Sequence, residues 1–140
     1  MRLAAALLAL ALLPACSVAV HTGHGGYVPS TIAGSWKGRG VQSDDPGGGW
    51  TIALTLAGEG RGSVVGTITY PSLACGGDLI LREAGAERVE VAERITFGTC
   101  VDHGIIVLTP DGGGLRFDWR VEDSSLTARG TLSRARPPAP

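Results

Sequence analysis

The chain has 140 residues and a formal net charge of −1; 44% of its residues are hydrophobic, 18% charged and only 5% aromatic. That length fits one domain with a modest core, and a near-neutral balance without charge clusters excludes a nucleic-acid surface or a polybasic membrane patch. Lys37 is the only lysine among the 12 basic residues, a compositional bias from which no chemistry is read.

Met1-Arg2 gives a short positive start, residues 3–13 are only Leu and Ala, and the small residue Ala15 precedes Cys16. This order marks a secretory signal; a membrane span needs about 20 apolar residues. Leu13-Pro14-Ala15-Cys16 resembles the lipobox of bacterial lipoproteins, where a dedicated peptidase cuts before the cysteine and its sulfur carries a diacylglycerol with acyl chains such as palmitate. Pro14 stands where that box usually has Ala or Ser. The resemblance implies a signal peptide over residues 1–15, lipidation at Cys16, and an exported protein anchored to the bacterial cell membrane or envelope.

Residues 16–31 contain His21, His24, Pro29 and glycines without apolar periodicity, and predict a flexible tether. His21-Thr22-Gly23-His24 reads as solvated linker rather than as a metal site. The tail, residues 135–140, is Pro-rich and predicts an extended or disordered end.

Between them, over residues 32–134, the period is two. An initial strand covers residues 33–42. Trp50, Ile52, Leu54 and Leu56 then alternate with Thr51, Ala53, Thr55 and Ala57, and further strands are predicted over 64–70, 79–83, 89–97 and 105–109. Leu115, Phe117, Trp119 and Val121 share one face against Arg116, Asp118, Arg120 and Glu122, and a last strand covers 126–132. Turn signals separate them: Asp44-Asp45-Pro46-Gly47-Gly48, Gly58-Glu59-Gly60, Ala84-Gly85-Ala86 and Pro110-Asp111-Gly112-Gly113-Gly114. Eight short alternating strands predict an all-β, antiparallel, up-and-down barrel, with a β-sandwich as the alternative.

The chain has three cysteines. If Cys16 is lipidated, an exported protein is left with Cys75 and Cys100, which predict a disulfide; a metal site has only His103 to add. Loop parity agrees. Cys75 falls in the third loop and Cys100 in the fifth, which an up-and-down meander places at the same end.

Gly34-Ser35-Trp36 resembles the Gly-x-Trp at the first strand of lipocalins, avidins and other calycin barrels. That likeness implies that Trp36 closes the barrel base under an Arg from the last strand; Arg134, in phase with Leu126, Ala128, Gly130 and Leu132, fits by cation–π contact. Residues 66–79, Glu93-Arg94-Ile95 and Cys100-Val101-Asp102 are similar to a small secreted domain of actinobacteria, found also as the extracellular C-terminal region of some membrane serine/threonine kinases. This likeness spans residues 34–134. It implies an exported module, and kinase activity does not carry over.

Glu93 breaks the pattern, sharing the inward phase with Val89, Val91, Ile95 and Phe97. A buried carboxylate must be paired, hydrogen-bonded or protonated, and Tyr70, Gln42 and Arg134 are the inward-phase partners. Two readings stay open: a satisfied polar cluster that fixes register, or a ligand-anchoring carboxylate. Trp50, Phe97, Phe117 and Trp119 are also inward, either filling the core or, with Glu93 and Tyr70, lining a site for one small ligand. The mouth, built from the Asp44-Asp45, Cys75, Cys100 and Asp123 loops, is acidic and favours a cationic or neutral partner.

Catalytic signatures are absent: there is no Gly-x-Ser-x-Gly, no His-Glu-x-x-His and no phosphate loop. Asp102-His103 lies beside Cys100, but a disulfide-bonded sulfur offers no thiolate. No catalytic residue, cofactor or metal is assigned. The sequence favours a non-enzymatic binding module for a small apolar molecule or an envelope component. A protein-interaction module or inhibitor of a secreted enzyme is the alternative, with an envelope hydrolase third.

Overall fold

A computed structural model describes residues 26–136, so the signal segment, Cys16, His21, His24 and residues 137–140 lie outside the described residues. Eight antiparallel strands follow one another around a single closed barrel: β1 (Gly34–Gln42), β2 (Asp45–Leu56), β3 (Val64–Tyr70), β4 (Cys75–Gly85), β5 (Arg88–Phe97), β6 (Gly104–Asp111), β7 (Gly114–Val121) and β8 (Thr127–Arg134). The predicted up-and-down barrel is the observed fold, and the sandwich is not. Closure comes from the β1–β8 ladder, which runs from Trp36 opposite Arg134 to Gln42 opposite Ala128.

Alternation explains the interior. Ile52, Leu54 and Leu56 of β2, Leu115 and Phe117 of β7 and Leu132 of β8 are all buried in one cluster. At the base, the indole Nε1–H of Trp36 donates to the Ile32 carbonyl at 2.8 Å, and the Arg134 guanidinium lies 4.3 Å over the Trp36 ring. Arg134 also donates to the Ala33 carbonyl at 2.9 Å, so the expected base closure is present with its hydrogen bonds.

Four differences from the sequence reading have local causes. Residues 26–31, expected in the tether, pack onto the base: Tyr27 bridges Glu59, Val28 N–H donates to the Gly58 carbonyl, and Val28 and Ile32 are buried. Val28 and Ile32, four residues apart, are its buried apolar side chains, and backbone bonds to the β2–β3 loop add to them. Strand β2 starts at Asp45 rather than Trp50, because Gln42 faces Asp45 while Gly40 faces Trp50, and the residues between bulge outward. Strand β4 starts at Cys75, not at 79: a 3-10 turn (Pro71–Leu73) and left-handed Ala74 bring Cys75 opposite Tyr70.

The fourth concerns Phe97, expected inside and found 50% exposed. Gly76 faces Phe97 and Gly77 faces Ile95, so Thr96 is an extra residue that reverses the side-chain parity. The displaced ring lies over Gly76, where an added Cβ would come within 2.9 Å of it.

Cys75 and Cys100 form the expected disulfide, with their Cα atoms 5.9 Å apart, tying the start of β4 to the β5–β6 loop. Closing this loop restricts the unfolded chain. The double variant Cys75→Ser, Cys100→Ser is expected to lose about 2–4 kcal/mol in a urea titration while keeping the far-ultraviolet spectrum of the barrel.

Candidate functional site

The two ends of the barrel differ. The base is plugged by Trp36 and Ile32, whereas the other end opens into a cavity of about 300 Å³. Gln42, Trp50, Tyr70, Glu93 and Trp119 reach it from strands, and Leu73, Thr99, Cys100 and Val101 from the loops above. A larger groove on the outer face of β1–β3 carries no acidic side chain and no histidine.

Glu93 is 2% exposed and is the buried charged residue of the described core. The Tyr70 hydroxyl donates to its Oε1 at 2.6 Å, and the Trp119 indole N–H donates to its Oε2 at 3.0 Å. Three strands thus converge on one carboxyl group: β3 supplies the phenol, β5 the carboxyl and β7 the indole. An indole can only donate, and 2.6 Å is typical of a hydroxyl bonded to a charged oxygen, so the arrangement suits the ionised carboxylate.

Burial pushes the Glu93 carboxyl above the usual range, while the bonds from Tyr70 and Trp119 pull it down and the Asp102 charge pushes it up. The net direction is upward. Tyr70 is raised far above an ordinary phenol, by burial first and then by the Glu93 charge and their hydrogen bond, so it stays a donor across the working pH range. Asp102 moves the other way: its carboxyl is lowered because Ile95 N–H and His103 N–H both donate to its Oδ1 at 2.8 Å. Those bonds fill a gap in the sheet, since the β5–β6 ladder ends at Ala92 opposite Ile105. Beyond that point the pairing of β5 with β6 stops, and Thr99, Cys100 and Val101 of their connection line the cavity.

Of the expected Glu93 partners, only Tyr70 is one. Gln42 lines the cavity without a hydrogen bond to Glu93, and Arg134 lies at the opposite end with Trp36. Trp119, placed beforehand among the cavity aromatics, is the second donor. Gly104 was not anticipated. A Cβ there would run into both Trp119 Nε1 and Glu93 Oε2, so the first residue of β6 must be glycine for the pair to form. Trp50 and Tyr70 meet at 78° with centroids 6.5 Å apart, and the buried Nε1 of Trp50 has no acceptor. Among the described residues, no cluster of three or more acidic, His or Cys side chains is placed to hold a metal ion.

Backbone strain gathers at this end. Ala74, His103 and Asp123 are the non-glycine residues with left-handed φ among those described, at 51°, 61° and 63°, one in each of three mouth loops. Such conformations disfavour side chains and collect at functional sites.

Comparison of the chain with protein-family models, with curated proteins and with solved structures finds no match. The site therefore rests on its own geometry.

Two substitutions test that geometry. Tyr70→Phe removes a bond that favours the charged form, so the carboxyl titration of Glu93, followed by carbon NMR, is expected to move to higher pH; no movement would mean the bond is not made. Gly104→Ala is expected to cost about 1–3 kcal/mol of stability and to move the Trp119 indole resonance, because the added methyl separates Trp119 from Glu93.

A pH profile separates the two acids. Glu93, raised in the folded state, contributes stability below the ordinary glutamate value and loses it as pH rises through its folded value. Asp102, lowered, contributes stability above the ordinary aspartate value and loses it as pH falls through its folded value. Asp102→Asn is therefore expected to be less stable than the parent at neutral pH and to converge with it in acid.

Proposed function

We propose that this protein is a lipid-anchored extracytoplasmic binding module, non-enzymatic, that holds a small molecule in the mouth of its barrel. The observation that carries the reading is the cavity itself: apolar and aromatic walls with one buried carboxyl oriented at the bottom by two committed donors. Small-ligand sites have this make-up, mostly apolar with a few placed polar groups, and about 300 Å³ is the lower end of their range. Tyr70 and Trp119 spend their donor hydrogens on Glu93. That commitment favours binding over proton transfer.

The anchor rests on the lipobox-like Leu13-Pro14-Ala15-Cys16. The calycin likeness of Gly34-Ser35-Trp36 and the likeness to the secreted actinobacterial domain support an exported barrel. A protein partner, including a secreted enzyme held inhibited, is the second reading. It is favoured by Leu73, Phe97 and Val101, which are about half exposed around the mouth.

Native mass spectrometry of the full chain tests the main reading. The expected result is a non-covalent small-molecule adduct, together with a change in tryptophan emission when the stripped protein is offered its extract. A chain without an adduct, whose emission answers no small molecule, would overturn it. The anchor is tested separately, by the mass of the membrane-extracted protein: a species beginning at Cys16 without acyl mass defeats lipidation.

A further inference from the structure

Glu93 is a buried carboxylate without a counter-charge. An ionised carboxylate has about four acceptor positions, and Tyr70 and Trp119 occupy one on each oxygen. No Arg, Lys or His among the described residues bonds to it, and the charge that acts on it through space, Asp102, is another acid. The arginine closest in sequence, Arg94, is held by Asp78 at 2.6 Å, and Arg134 is at the base. Neutral donors lower the cost of burying this charge; they do not cancel it.

The surroundings select what would cancel it. Trp50, Tyr70 and Trp119 line the same cavity, and the first two stand nearly at right angles. Aromatic faces are negative and attract a cation within about 6 Å, most strongly where water is excluded. Asp44, Asp102 and Asp123 in the mouth loops, with Asp45 at the start of β2, carry the same sign, which favours a cation over an anion. A metal ion would need several charged or imidazole ligands, and among the described residues no three acidic, His or Cys side chains are grouped to hold one. An uncharged apolar molecule would fill the space and leave Glu93 as it is.

We infer that the cavity takes an organic ammonium ion, its positive head against Glu93 among Trp50, Tyr70 and Trp119 and its apolar remainder toward Leu73 and Val101. This deepens the small-ligand reading above and rests on it.

The test compares choline, tetramethylammonium and n-butylammonium with 3,3-dimethylbutan-1-ol, which has the shape of choline with carbon in place of the charged nitrogen. The readout is the set of three indole N–H resonances of the full chain. Trp36, bonded to Ile32 at the base, serves as the internal control. The ammonium ions are expected to shift Trp50 and Trp119 saturably and to leave Trp36 in place, with choline binding roughly tenfold or more tightly than the alcohol. Glu93→Gln is expected to abolish that preference. Trp50 makes no hydrogen bond to Glu93, so Trp50→Leu keeps the test open should Glu93→Gln fold poorly; it is expected to weaken choline more than the alcohol.

Equal affinity for choline and the alcohol, or a preference that survives both substitutions, would overturn the inference and leave the small-ligand reading standing. So would a chain that co-purifies with an uncharged molecule and answers none of the ammonium ions. Silence toward all four probes, with no co-purified molecule, overturns both.

Discussion

The ladder between β1 and β8 is the constraint on which the rest of the molecule depends, because it turns a meander into a ring with an inside and two ends. It needs close approach. Gly38 sits where a Cβ would strike the Thr131 carbonyl, and Gly130 where one would meet the Arg39 carbonyl at 2.5 Å, so each strand of the seam carries a glycine where the other's backbone comes close. Neighbouring side chains take the space over the β1 glycines: a Cβ on Gly38 would come 2.8 Å from Leu132 Cδ2, and one on Gly40 3.0 Å from Ile52 Cδ1. At the base, Trp36 fills the end of the ring, fixed by Ile32 and roofed by Arg134. The cavity beside Gln42 and Trp50 lies at the other end.

Stability alone does not account for Glu93. A buried carboxylate is costly even when hydrogen-bonded, and well-packed apolar replacements of such groups are often neutral or stabilising. Here two neighbours are arranged around it, one of them through the enforced glycine at 104. On one side of Glu93 the β4–β5 ladder continues, with Glu93 opposite Leu79; on the other the β5–β6 ladder ends one residue before it, and Asp102 accepts from the Ile95 N–H. The strained Ala74, His103 and Asp123 belong to the same end. Strain, interrupted pairing and a buried charge together describe an end shaped for something other than stability.

What was legible beforehand follows from what a period of two encodes. It identifies strands and faces, and hence the barrel, the inward Glu93 and Tyr70, the phase of Arg134 and the shared end of Cys75 and Cys100. It fails where one residue is added without a signal: Thr96 reverses the parity that placed Phe97 inside, and the outward bulge before Trp50 hid the start of β2. It is also silent about what faces what across an interior. The bond between Glu93 and Trp119 joins residues 26 apart through the closed ring, and the need for Gly104 appears only once both side chains are in place. Residues 26–31 show a third gap, since a segment of Gly, Pro and Ser reads as linker unless the docking of Val28 and Ile32 is seen.

The route of the chain links the two halves of the functional reading. Residues 26–28 lie along the β2–β3 loop, where Gly60 N–H donates to the Gly26 carbonyl and Val28 N–H to that of Gly58. Antiparallel order puts this loop at the base, with the ends of β1, β3, β5 and β7 at the mouth. On the lipoprotein reading, the anchored segment therefore joins the barrel at its closed end, and the cavity opens at the far one. A barrel held the other way up would present its acidic loops to an anionic lipid surface, which repels them. Entry at the base removes that conflict and leaves the mouth toward the medium from which a cation would come. On that reading, the base contacts of Tyr27, Val28 and Ile32 set which end of the barrel the anchored segment meets.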